Sequence, residues 1–171
     1  NDSLRNLDGL ANVSSVTELS IVNNDGMSRI TSEATIMWVS TIDSLEIREN
    51  DSLEYIEAFN GLTSVWGDFL IVNNNSLSRV GVIGPLSMVR GDFVVEGNDQ
   101  LESFLGAHPI VEVGGDLILR NNPFHTSDVD FSSLVEIGGS LVVQGNQSLE
   151  RVDMMNNLST VGESVVIDDN E

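Results

Sequence analysis

The chain contains no cysteine, little aromatic residue (5%), and only 7 basic side chains against 27 acidic ones. Without thiols there is no disulfide and no cysteine chemistry, which suits a cytosolic protein or a surface protein that manages without crosslinks. The shortage of rings argues for a thin core of Leu, Val and Ile within a hydrophobic content of 40%. No 18-residue apolar run occurs, so no helical membrane span is expected. The formal net charge of −20 argues against nucleic acid, whose phosphates require basic patches, and against an anionic membrane surface. An acidic excess of this size serves the solubility of an exposed protein, or draws cations or a basic partner.

Catalytic patterns are also missing. His108 and His125 are the only histidines and fall in different repeats. No His-Glu-x-x-His, Gly-x-Ser-x-Gly or phosphate loop occurs. No catalytic or cofactor-binding residue is expected, and the chain reads as non-enzymatic.

What is present is a repeat. Leu19-Ser20-Ile21-Val22-Asn23-Asn24 aligns with Leu45-Glu46-Ile47-Arg48-Glu49-Asn50, Phe69-Leu70-Ile71-Val72-Asn73-Asn74 and Phe93-Val94-Val95-Glu96-Gly97-Asn98. Leu117-Ile118-Leu119-Arg120-Asn121-Asn122, Leu141-Val142-Val143-Gln144-Gly145-Asn146 and Val165-Val166-Ile167-Asp168-Asp169-Asn170 complete the series. Counted from Asn1, the closing Asn residues are separated by 23, 26 and then five times 24 residues. A fixed step of this length marks a solenoid. Each copy alternates apolar and other residues, the period of a strand with one buried face. After each Asn the apolar period becomes three, as in Leu77, Val80, Ile83, Leu86 and Val89. That fits corners built from short extended or 3₁₀ pieces. Stacked copies then form a parallel sheet. Asn24, Asn50, Asn74, Asn98, Asn122, Asn146 and Asn170 are expected to turn inward as a ladder that satisfies backbone groups at the bend.

The pattern Asn-x-Ser-Leu-x-x-Val followed by Val-x-Gly-Asp-Leu-x-Val-x-x-Asn resembles the leucine-rich-repeat superfamily, and within it the receptor L-domain repeats. The resemblance implies a right-handed solenoid and binding through the sheet face at a cell surface. Animal L domains carry disulfides and helical caps that this chain lacks. The expectation is therefore a mainly β, single repeat domain over 1–171, a right-handed LRR-like β-solenoid of about seven turns with one long parallel sheet and little helix.

Alternation sorts the strand residues into two faces. Leu70, Val94, Ile118, Val142 and Val166 fall on the outward face, where a strand open to water should be polar. Five aliphatic positions in a row point to an interface, although β-propensity alone would also place Val and Ile there. Arg48, Val72, Glu96 and Arg120, in the next outward column, would form its rim. The partner is expected to be a protein or glycan, or a second copy of the chain.

Asp68, Asp92 and Asp116 recur just before three successive strands. The column serves either the local hydrogen bonding of a solvated turn, the favoured reading, or a hard cation such as calcium. A second acidic column, Asp2, Asp25, Asp51 and Asp99, follows the ladder Asn. Asn12 and Asn157 are the glycosylation sequons outside the ladder. Gly67, Gly91, Gly115 and Gly139 precede the later strands, whereas the first two copies are a residue shorter there, which predicts a change of stagger between Leu45 and Phe69. Neither end shows a capping repeat. This reads as a segment of a longer array or as a subunit of an extracellular fibre assembled by stacking.

Overall fold

The computed structural model describes residues 1–31, 39–81 and 83–170. The chain winds as a β-solenoid, and each coil contributes a strand to a long parallel sheet. Its seven strands are Glu18–Val22, Ser44–Arg48, Phe69–Val72, Phe93–Glu96, Leu117–Arg120, Leu141–Gln144 and Val165–Asp168, stacked in chain order. The seven strands bound six complete coils, the more exact count for the seven repeats of the sequence. Among the described residues there is no α-helix, and none of the helical turns is long and apolar enough to cross a membrane.

The corners carry more order than one long sheet. Two-residue strands from Thr41–Ile42 to Thr160–Val161 stack into a second parallel sheet of six. Arg29–Thr31, Tyr55–Glu57, Arg79–Val80 and Ser103–Phe104 form a third of four. In later coils 3₁₀ turns stand in this region, at Leu105–Ala107, Thr126–Asp128 and Asp153–Met155. A strand of two residues shows no alternation, so period three could reveal the corners but not their pairing.

Alternating and three-spaced apolar residues meet in one core. The inward pairs Leu45/Ile47, Phe69/Ile71, Phe93/Val95 and Leu117/Leu119 are fully enclosed, as are Leu77, Val80, Leu86 and Val89. In the middle coils Phe69 and Phe93 stack with ring centroids 4.6 Å apart, and Phe104 and Phe131 meet Phe93 edge-on at 5.9 and 5.7 Å. Such pairs add specificity to plain area burial. Val152 departs from the three-spaced column: it is exposed, while Met154 and Met155 are buried beside it.

The expected change of stagger does not occur. Leu45 pairs directly with Phe69, and Ile47 with Ile71. The extra residue is absorbed before the strand, where the Trp66 and Gly67 N–H groups donate to Ile42 and Asp43 carbonyls. Absorbing it there keeps every inward side chain inward, which a one-residue slip would reverse.

Candidate functional site: the outer face of the long sheet

The closing Asn of each coil builds the edge of this sheet. Each Oδ1 accepts the backbone N–H of the Asn one coil earlier, at 3.0–3.2 Å from Asn24 through Asn146. From Asn50 onward each Nδ2 donates to the carbonyl of an inward residue of the preceding coil: Asn50 to Ile21, Asn74 to Ile47, Asn98 to Ile71, Asn122 to Val95, Asn146 to Leu119 and Asn170 to Val143. The five central members, Asn50 to Asn146, are buried. Such buried amides carry their full hydrogen-bonding capacity inside the protein. Asn1 stands apart: it is exposed, and its Oδ1 accepts the Ser3 N–H.

The residue before each ladder Asn is left-handed, with φ of 57° at Asn23, 54° at Glu49 and Asn73, 53° at Asn121 and Asp169, 66° at Gly97 and 68° at Gly145. Asn, Asp and Gly tolerate this region best. A Cβ at Gly97 or Gly145 would sit 2.3 Å from the Oδ1 of Asn73 or Asn121, so the side chain of one coil fills the space left by the next.

Between these bends the outward columns stand in strict register. Ser20, Glu46, Leu70, Val94, Ile118, Val142 and Val166 pair in sequence across the seven strands. Leu70, Val94, Ile118 and Val142 are half-buried and Val166 is exposed, giving one unbroken aliphatic stripe. The adjacent column runs Val22, Arg48, Val72, Glu96, Arg120, Gln144 and Asp168. Arg48 reaches Glu46 at 2.5 Å and Glu49 at 2.9 Å, and Arg120 reaches Glu96 at 3.4 Å. Arg120 Nε is buried and has no hydrogen-bond partner among the described residues. At the polar head of the stripe the Ser20 hydroxyl, 2.7 Å away, holds the Glu46 carboxyl below its usual range; partial burial opposes this and Arg48 assists it.

On the other side of the stripe lie Asp68, Asp92 and Asp116, which take part in a hydrogen-bonded column. Oδ1 of Asp68 accepts the Asp92 N–H at 2.9 Å, Asp92 accepts that of Asp116 at 2.8 Å, and Asp116 accepts that of Ser140 at 2.6 Å. A Cβ at Gly91, Gly115 or Gly139 would fall 2.2 Å from these same oxygens. The Gly and Asp columns are one device, in which each carboxylate occupies the space above the next coil's Gly. Among the described residues, no group of three or more acidic or His side chains is placed to hold a metal ion. In the second acidic column Asp25 accepts the Asp51 N–H, and Asp51 the Asn75 amide.

Of the two free sequons, Asn12 is exposed, whereas the Nδ2 of Asn157 donates to the Ser132 carbonyl at 2.6 Å. His108 lies beside Asp130 and Ser132, at 3.0 and 3.2 Å. Both meet the same nitrogen, Nδ1, so the three do not form a relay through the ring. Burial raises the Asp130 pKa, but hydrogen bonds from the Ser132 hydroxyl and N–H, together with His108, outweigh it and leave the group lowered.

No protein-family model matches the chain, and neither a curated protein nor a solved structure shows significant similarity to it.

Two exposed groupings were not singled out from the sequence. Trp66 is 50% exposed, with the Arg90 guanidinium 4.2 Å from its ring centre. Arg29, Tyr55 and Arg79 form an outward column of the four-stranded sheet. Their separations of 26 and 24 residues match the repeat and were the available signal.

Proposed function

We propose that this chain is a non-enzymatic interaction module, exposed at a cell surface or outside the cell, that engages a protein or glycan partner through the outer face of its long sheet. We read the coil as leucine-rich-repeat-like, a reading supported by the 24-residue step, the Asn ladder and the parallel sheet. The observation that carries the function is the registered stripe Leu70, Val94, Ile118, Val142 and Val166 on a face that water alone would keep polar. Arg48, Val72, Glu96 and Arg120 supply its rim, where Arg48 and Arg120 pair with Glu46 and Glu96. The −20 charge supports an exposed setting.

The double variant Val94→Asp with Ile118→Asp tests this. Both side chains point outward, so the fold is retained, as circular dichroism would show, and capture of partner from native extracellular material is expected to fall at least about tenfold. Undiminished capture by a folded variant would remove the stripe from the site.

A second reading is a structural subunit assembled by stacking, supported by the uniform parallel register of the seven strands of the long sheet. Sedimentation as a monomer over a wide concentration range, with no filaments under the microscope, would exclude self-assembly.

A further inference from the structure

The basic residues of so acidic a chain are informative because each has carboxylates to choose from. Arg48, Arg120 and Arg151 each reach one. Arg5 donates to the Gly26 carbonyl, and Arg90 covers Trp66. Arg29 and Arg79 are exposed, and neither forms an ion pair among the described residues. They occupy one column, in register on either side of Tyr55, which is 41% exposed. With strands about 4.8 Å apart, the two arginine positions lie roughly 10 Å from one another across the tyrosine. Like charges held this close, with no ion pair to a carboxylate among the described residues, favour an anion between them.

Tyr55 adds a flat apolar surface at that point. Thr31 and Glu57 pair in register one row further along, and a shallow depression is lined by Arg29, Thr31, Tyr55 and Glu57. Glu57 would repel a bare polyanion but accept hydrogen bonds from hydroxyl groups. We propose that Arg29, Tyr55 and Arg79 bind an acidic sugar: its carboxylate or sulfate meets the guanidinium groups, its ring lies against Tyr55, and its hydroxyls face Glu57. This surface belongs to a different sheet from the aliphatic stripe, so the proposal stands independently of the one above.

The test is calorimetric titration of the intact chain, at low salt, with a sulfated uronate-containing disaccharide, with neutral lactose and with inorganic sulfate. The acidic disaccharide is expected to bind at least about tenfold more tightly than either control. Arg29→Ser with Arg79→Ser, and separately Tyr55→Ser, should each weaken it about tenfold or more. Arg151→Ser, an exposed change elsewhere, should leave it unaltered, and circular dichroism should show every variant folded. Inorganic sulfate binding as tightly as the disaccharide would overturn the sugar assignment. So would absence of binding up to about 10 mM, or equal loss in the Arg151 variant.

Discussion

The first and last strands of the long sheet carry the same pattern and meet opposite fates. Leu19 and Ile21 are 8% and 4% exposed, whereas Val165 and Ile167, in the same two columns, are 57% and 53% exposed. The first strand is flanked by residues 1–17, from which Leu4, Leu7, Val13 and Val16 pack against the core. Among the described residues the last has a coil on one side only, where the Leu141 and Gly145 N–H groups donate to the Ser164 and Asp168 carbonyls. Burial in a solenoid is therefore a property of the neighbours and not of the coil itself. Side chains of one chemistry contribute fully to stability in the middle, nearly fully at the covered end, and little at the exposed one.

Substitutions graded along the stack would sharpen this contrast. The largest effect is expected at Phe93, which touches Phe69, Phe104 and Phe131 in the central coils. Phe93→Ala should cost about 3–5 kcal/mol in urea unfolding. Next comes the ladder. Asn98→Leu strands the buried Asn74 N–H and Ile71 carbonyl, for about 3 kcal/mol, whereas Asn170→Leu at the exposed end should cost about 1 kcal/mol or less. The third pair compares the two ends directly: Ile21→Ala should cost about 2 kcal/mol or more, and Ile167→Ala no more than about 0.5 kcal/mol. Equal costs at the two ends would break the comparison.

Much of the fold was legible because its two periods leave different marks. Alternation named the inward residues of every long strand, and the period of three named Leu77 to Val89 at the corners. The Asn column was legible as a ladder because a buried amide recurring at a bend needs partners that stacking supplies. Other features depend on contacts between coils. The Asp and Gly columns were both visible, but only stacking shows the Asp68 oxygen lying over Gly91 and accepting the Asp92 N–H. The stagger expected from the missing Gly failed because the turn before Phe69 absorbs the extra residue. On the outer face, alternation named every member of the aliphatic stripe. It could not reveal the unpaired Arg120 Nε, which depends on where a long side chain settles. Arg29, Tyr55 and Arg79 were legible in spacing alone, yet on a two- or three-residue strand nothing in the pattern distinguishes an outward column from a loop.

Native-state hydrogen exchange tests the central claim, that neighbouring coils and not the sequence of a coil set its stability. The account predicts that amides of Phe93–Glu96 exchange only through global unfolding, while those of Val165–Asp168 exchange at least about a hundredfold faster through local opening of the last strand. If Val165–Asp168 were as slow as Phe93–Glu96 in a monomeric sample, each coil would be holding itself together and the account would be contradicted.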